Sequence, residues 1–133
     1  MSDRLFLDTN VFIASLTDEP NKGATASTVL NLENPLSTSL LNLMELRTVL
    51  TKKKRIEQSV ANETIREITE DVEIVLHESS DAAAANDLQQ ETLLYPMDCL
   101  ILALAEDQDA TLVTFDSELI EAGAVAPEQA INR

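Results

Sequence analysis

Two short apolar segments, one near each end of the chain, constrain the fold most because an aspartate follows each. Residues 4–7 lead into Asp8, and residues 111–115 lead into Asp116. Apolar runs of this length are typical of buried strands. Only two glycines and four prolines interrupt 133 residues, so helices are expected to dominate the remainder. Because strands and helices alternate along the chain, we expect a three-layer α/β fold with a mostly parallel central sheet and helices on both faces.

The chain between these two segments contains one further predicted strand and five predicted helices. The strand is expected over residues 72–76, where β-branched residues alternate with others. Helices are predicted over residues 21–32, 40–50 (with Ser39 as the N-cap), 56–70, 80–94 and 98–107. The tail after Gly123 has no clear pattern. No linker or repeat is evident, so we expect a single domain over residues 1–133.

The charge of the chain excludes a broad basic surface for nucleic acid. Twenty-four Asp and Glu residues oppose nine Lys and Arg residues, for a net charge of −15. The acids are dispersed rather than gathered in a tail, and lysine is scarce. One hypothesis for this composition is adaptation to a salty, halophilic cytoplasm, where ions screen self-repulsion. The alternative is a chain that is merely acidic.

The location of the protein can be predicted from what its sequence lacks. The single cysteine, Cys99, cannot form an internal disulfide, which favours a reducing compartment. No apolar stretch reaches the ~18 residues that a membrane span needs, and no signal peptide is recognisable. We therefore expect a cytoplasmic protein without a membrane partner.

Four carboxylates stand out because each interrupts an apolar segment. Asp8 and Asp116 follow predicted strands, Asp98 opens an apolar helix, and Glu45 belongs to a narrow polar stripe with Asn42 and Thr48. Each has a structural interpretation, as a helix cap, a helix-dipole partner or a solvated side chain. If they converge on one end of the sheet, however, they repel one another unless a cation neutralises them. Oxygen ligands of this kind favour Mg²⁺ or Mn²⁺.

The sequence lacks the residues that other common kinds of active site require. His77 is the single histidine, so neither a serine triad nor a histidine-rich zinc site can be assembled. Cys99 lies within an apolar helix and is interpreted as a buried structural thiol. Two glycines cannot form a phosphate-binding loop. Metal-ion catalysis by carboxylates is the chemistry that remains.

Four motifs follow one another along the chain: Leu7-Asp8-Thr9-Asn10, Glu45-Leu46-Arg47, Asp98 and Leu112-Val113-Thr114-Phe115-Asp116. In this order they resemble the motifs of the PIN-domain ribonucleases, in particular the small VapC toxins of toxin–antitoxin pairs. The resemblance covers nearly the full chain. It implies a PIN-like fold and hydrolysis of RNA phosphodiester bonds by metal-activated water. It also implies a small antitoxin protein as partner and a homodimer.

The resemblance also implies roles for individual residues. Asp8, Glu45, Asp98 and Asp116 would be the catalytic acids that bind Mg²⁺ or Mn²⁺. Auxiliary roles near the metal or the phosphate fall to Thr9, Thr114 and Ser117.

One departure from the family concerns basic surface, of which this chain has little. The predicted RNA contacts are Arg47, Lys52, Lys53, Lys54 and Arg55, with Arg66 nearby. The run of residues 52–55 has a simpler interpretation as a solvated helix C-terminus. With four aromatic residues in all, little base stacking is expected.

Two other classes of protein share features with this chain. A phosphoacceptor receiver domain matches in length and in its acids, but it requires a lysine late in the sheet, and none follows Lys54. A non-catalytic PIN-like module that binds RNA or a protein stays open, although the complete set of acids speaks against it.

Overall fold

A four-stranded parallel sheet forms the centre of the computed structural model, which describes residues 3–133 and thus omits the first two residues of the predicted domain. Its strands lie in the order β3-β2-β1-β4. All three neighbouring pairs are parallel, as predicted. The strands are β1 (Leu5–Leu7), β2 (Leu36–Ser39), β3 (Glu73–Val75) and β4 (Thr111–Val113).

Eight helices connect and cover these strands in the described part of the chain. They are α1 (Thr9–Leu16), α2 (Gly23–Leu30), α3 (Leu40–Thr48), α4 (Gln58–Asp71), α5 (Ser79–Thr92), α6 (Pro96–Asp107), α7 (Ser117–Glu121) and α8 (Pro127–Ile131). A π-helical turn, Val49–Lys53, continues α3. All five predicted helices are present, and Ser39 caps α3 as expected. The tail that showed no pattern contains α8.

Strand β2 was not predicted, because it lacks an apolar run. Its sequence is Leu-Ser-Thr-Ser, and three of its four residues are buried. The hydroxyl of Ser37 donates a hydrogen bond to the Leu5 carbonyl (3.2 Å), and that of Thr38 donates to the Leu7 carbonyl (2.7 Å). These bonds satisfy polar side chains that would otherwise be costly to bury. The hydroxyls therefore suit an interior strand that a hydrophobicity pattern overlooks.

Two hydrophobic clusters cover opposite faces of the sheet. Leu5 and Leu7 point to one side, where they pack with Val11 of α1. Phe6 points to the other side, where it packs with Leu104 of α6. This alternation follows from the period of two along a strand. The predicted three-layer arrangement is confirmed.

The strand order defines a region at the carboxyl edge of the sheet, which we call the crevice. From β1 the chain moves outward through β2 to β3 and returns to β4, on the other side of β1. Ligands of open α/β sheets bind where the strand order reverses in this way. Here that point lies between the ends of β1 and β4, which lead into Asp8 and Asp116. Within residues 3–133, no helix is long and apolar enough to cross a membrane.

Candidate functional site

All four predicted acids lie at or near the crevice at the carboxyl edge. Asp8 is the N-cap of α1 and Asp116 is the N-cap of α7. Asp98 occupies the first turn of α6, and Glu45 lies in the second turn of α3. Asp8 is buried, Asp98 and Asp116 are half-buried, and Glu45 is exposed. Residues distant in sequence are thus brought within electrostatic reach of one another.

The carboxylate of Asp8 is the best anchored group of the site. Its Oδ1 accepts hydrogen bonds from the Thr9 backbone N–H (2.8 Å) and from Asn42 Nδ2 (3.4 Å). Its Oδ2 accepts from Thr114 Oγ1 (2.7 Å) and from Asn10 Nδ2 (3.4 Å). These donors come from three different segments of the chain. They fix the direction in which the carboxylate points.

A second set of hydrogen bonds joins the loop after β4 to the start of α1. Asn10 Nδ2 donates to Thr114 Oγ1 (3.0 Å), and the Phe115 backbone N–H donates to Asn10 Oδ1 (3.2 Å). The Asp116 backbone N–H donates to Thr114 Oγ1 (3.1 Å). The side chain of Asp116 itself accepts from the backbone N–H groups of Glu118 (2.8 Å) and Leu119 (3.4 Å). The relative position of Asp8 and Asp116 is therefore defined by polar contacts as well as by strand pairing.

Asp8 and Asp116 also perform the structural role that was the alternative interpretation. Both side chains accept hydrogen bonds from the first turn of the helix that follows. Capping uses one oxygen of each carboxylate for these bonds. The capping role and a role in the crevice are therefore compatible.

Mutual repulsion among the carboxylates is visible in two pKa values. Burial, and after it the nearby carboxylates of Asp116, Asp8, Glu45 and Glu118, together raise the pKa of the Asp98 carboxyl to about 6. Burial is likewise the main cause of a raised pKa at Asp8, against which the hydrogen bonds from Thr114 and Thr9 act. After burial, neighbouring carboxylates raise both pKa values, so negative charge is concentrated here.

Glu118 is a fifth acid of the crevice that the sequence analysis missed. It is exposed in the first turn of α7, and its charge contributes to the raised pKa of Asp98. Its position two residues after Asp116 was a signal that could have been used. The three ion pairs found within the described residues join Arg4 to Glu73, Lys22 to Glu19 and Arg66 to Glu63, so none involves the crevice.

The acids do not form a closed cage for a metal. Among residues 3–133, no three His, Cys, Asp or Glu side chains are arranged to hold an ion directly. The crevice nevertheless fits the habits of Mg²⁺, which keeps several water ligands and is typically bound through only one or two carboxylates. The donors are all oxygen atoms, as hard cations require.

The three predicted auxiliary residues differ in burial and in their contacts with the acids. Thr9 and Thr114 are buried and contact the Asp8 carboxylate, Thr9 through its backbone and Thr114 through its hydroxyl. Ser117 is exposed at the first residue of α7, and its side chain has no hydrogen bond within the part of the chain that the structure describes. Asn10 and Asn42 are polar residues of the site that the sequence analysis did not assign; each lies within three residues of a predicted acid.

The predicted RNA contacts lie on α3 and its π-helical continuation. Lys52, Lys53, Lys54 and Arg55 are all exposed, at the end of the π-helical turn and directly after it. Lys52 follows Glu45 by seven residues, which is about 10 Å at the usual rise of a helix. Arg47 bridges α3 and α4, because its Nη2 donates to Gln58 Oε1 and Asn62 Oδ1, both at 2.7 Å. The structure therefore gives Arg47 contacts within the protein, and its role toward RNA stays a prediction.

Comparison with known proteins places this geometry in a family. The model of the PIN domain matches residues 5–125. No curated protein sequence matches significantly.

Solved structures with the same fold include several toxin–antitoxin proteins. A toxin–antitoxin complex from Klebsiella pneumoniae is 23% identical with a TM-score of 0.73, over 92% of this chain and 97% of that chain. VapC20 of Mycobacterium tuberculosis, a sarcin-ricin loop cleaving toxin, is 22% identical with a TM-score of 0.75, over 91% and 96%. VapBC2 of Rickettsia felis, bound to a DNA fragment from its promoter, is 19% identical with a TM-score of 0.72, over 92% and 96%. At these identities the likeness establishes the fold, and with the family match over most of its length, the chain belongs to the PIN-domain family.

Proposed function

We propose that this protein is a metal-dependent endoribonuclease that hydrolyses RNA phosphodiester bonds. The observation that carries the proposal is the convergence of Asp8, Glu45, Asp98 and Asp116 on the switch-point crevice. After burial, the groups that raise the pKa of Asp98 are the carboxylates of its four acidic neighbours, and no cationic side chain lowers it. Uncompensated charge of this kind is costly in a purely structural site. A divalent cation would neutralise it.

Mg²⁺ or Mn²⁺ is the cofactor we propose, with Asp8, Glu45, Asp98 and Asp116 as the residues that would hold it. When bound, such an ion lowers the pKa of water to provide a nucleophile near neutral pH, and it stabilises charge that develops on the phosphate. The chain's own contribution is positioning. Thr114 and the Thr9 backbone orient Asp8, and the first turn of α7 orients Asp116.

RNA is proposed to approach the crevice from the side of α3 and to contact the exposed basic run there. The basic run consists of Lys52, Lys53, Lys54 and Arg55. Together with Arg47 it holds the positive charge of α3 and of the residues that follow this helix. Each phosphate contact should weaken with salt through counterion release. Replacing the four residues of the run by alanine is expected to raise KM several-fold and to leave kcat unchanged.

A toxin role in a toxin–antitoxin pair is the biological context we propose. Its support is the shared fold with the toxin–antitoxin proteins of Klebsiella pneumoniae and Rickettsia felis. It includes a small antitoxin protein as partner, a homodimer and action in the cytoplasm. Co-expression of a small reading frame encoded beside this gene would relieve growth inhibition if the context is correct.

Cleavage of a structured RNA panel tests the catalytic proposal. We expect the wild-type protein to cut RNA with Mn²⁺ and to be inactive with a chelator. Asp8→Ala should lower the rate by about 10³-fold or more, because it removes the anchored carboxylate of the site. Asp71→Ala removes an equal charge from the exposed end of α4 and is the matched control, with an expected rate within about twofold of wild type.

Two outcomes would contradict the proposal. If Asp8→Ala cleaves at the wild-type rate, these acids are not catalytic. If the wild-type protein binds RNA but never cuts it with Mn²⁺, the alternative of a non-catalytic binding module is correct.

A further inference from the structure

Asn42 is a buried polar residue of the site. It carries no charge, and it is not one of the four proposed metal ligands. It lies in α3, one helical turn before Glu45, and its side chain is completely buried. The sequence pattern placed it on a polar stripe with Glu45 and Thr48, of which only Glu45 and Thr48 are exposed. Burial of a primary amide is costly unless its donors and acceptor are paired.

Every polar group of the Asn42 side chain has a partner in the site. Its Nδ2 donates to Thr9 Oγ1 (2.9 Å) and to Asp8 Oδ1 (3.4 Å). Its Oδ1 accepts from Ser39 Oγ (2.6 Å). An ionised carboxylate can only accept hydrogen bonds, so the nitrogen of the amide must face Asp8. The orientation of the amide is thereby determined by its surroundings.

These contacts connect two elements that carry different acids. Of the four groups that donate to the Asp8 carboxylate, Asn42 alone belongs to α3; the others are Thr9, Asn10 and Thr114. A second contact joins the same two elements, because Thr9 Oγ1 donates to the backbone carbonyl of Asn42 (3.4 Å). Glu45 follows on the same helix, so the position of its backbone depends on this junction.

We infer that Asn42 is a positioning residue, which orients the Asp8 carboxylate and sets the distance between Asp8 and the Glu45 helix for cation binding. The inference rests on the proposed function, since it assigns Asn42 a task toward the proposed ion. Asn42 itself need not touch the ion. Groups that orient metal-binding carboxylates typically change metal affinity by about 10–100-fold when they are removed.

The test is Mn²⁺ binding by the full chain. The electron paramagnetic resonance signal of the free ion measures how much Mn²⁺ remains unbound. Asn42→Leu keeps the branching and the number of heavy atoms of the side chain and removes its hydrogen bonds. We expect the Kd for Mn²⁺ to rise about tenfold or more. The KM for RNA at saturating Mn²⁺ should stay within a factor of about two, because Asn42 does not face the RNA. A merely structural residue would lower the melting temperature without moving the Kd.

Two further variants sharpen the result. Ser39→Ala should raise the Kd in the same direction by a smaller factor, because the Ser39 hydroxyl contacts Asn42 and none of the acids. Ser37→Ala is the matched control, since Ser37 is equally buried but donates to the Leu5 carbonyl, and its Kd should equal that of wild type. If Asn42→Leu does not fold, Asn42→Ser, which retains a small polar group, takes its place with a rise of at least a few fold.

The outcomes separate this inference from the proposed function. A wild-type Kd in the folded Asn42 variant, with Mn²⁺ binding and cleavage intact in the wild-type protein, would overturn the inference alone. Failure of the wild-type protein to bind Mn²⁺ at all would overturn the proposed function and the inference with it.

Discussion

The acids at the strand ends and the acids on the helices are held in opposite ways, although they share one crevice. Asp8 accepts hydrogen bonds from backbone and side-chain donors, and Asp116 accepts two from backbone N–H groups. Across residues 3–133, no hydrogen bond or ion pair holds the side chain of Glu45 or Asp98. One half of the site is therefore arranged in advance, while the other half is free to adjust. A hydrated cation suits such a site, because it tolerates variable contacts on one side.

The largest expected effect is a difference in the free energy of unfolding, without metal, between a variant of the strand-end acids and a variant of the helix acids. Asp8→Ala leaves the buried hydroxyl of Thr114 without its acceptor and Asn42 Nδ2 without one of its two acceptors, so we expect the free energy of unfolding to fall by about 2 kcal/mol. Asp98→Ala removes a repelled charge and loses only a few tenths of a kcal/mol from the helix dipole, so the protein should be as stable as wild type or more so. Urea unfolding with a chelator measures both. Equal losses in the two variants would remove the distinction between the halves.

The second prediction concerns the pH dependence of Asp98. Its folded-state pKa of about 6 lies above the ordinary value of 3.8, so the folded protein binds this proton more tightly than the unfolded chain. The contribution of Asp98 to the stability of the metal-free protein therefore falls as the pH rises from about 4 to about 7. Asp98→Asn lacks this contribution. Since the group is half-buried and screened by solvent, we expect the variant to gain about 1 kcal/mol over wild type across that range.

Urea unfolding at pH 4, 5, 6 and 7 measures this difference. Asp8 also has a raised pKa, but it is present in both proteins, so only the difference between them reports on Asp98. A difference that is constant with pH would show that neither burial nor repulsion raises the pKa of Asp98.

A third prediction tests whether the arranged half depends on Thr114. Thr114→Val keeps the shape of the side chain but removes the hydroxyl that contacts Asp8, Asn10 and Asp116. We expect about 1–2 kcal/mol less stability and about tenfold weaker Mn²⁺ binding. The matched control is Thr38→Val, which removes an equally buried hydroxyl bonded to the Leu7 carbonyl. It should lose comparable stability with the Mn²⁺ affinity unchanged; a similar loss of affinity in both variants would argue against a specific role for Thr114.

The fourth prediction concerns the effect of salt on stability. At a net charge of −15, self-repulsion is screened over about 10 Å at 0.1 M salt and about 3 Å at 1 M. We expect the melting temperature to rise by about 5 °C as KCl increases from 0.1 M to 1 M. If Asp98→Asn shows the same rise, the repulsion is spread over the surface, as the halophilic hypothesis requires. A flat or falling melting temperature would exclude that hypothesis.

Local patterns in the sequence determined much of the architecture. The apolar runs before Asp8 and Asp116 predicted β1 and β4, and the sparse glycine and proline content predicted the helices. These features depend on residues close together in the chain, such as burial on both faces of a strand or a cap at a helix start. The sequence also indicated which four carboxylates to examine, because each interrupts an apolar segment.

Contacts between distant segments were decided by the tertiary structure alone. Strand β2 is stable as a buried strand because its hydroxyls find carbonyl groups of β1, which lie more than thirty residues away. Asn42 faces Asp8, and Glu118 adds its charge near Asp98, only because the strand order brings α1, α3, α6 and α7 to one edge of the sheet. Hydrogen bonds and electrostatic repulsion act through space, so a residue's partners and its pKa follow from the packed fold rather than from its neighbours in sequence.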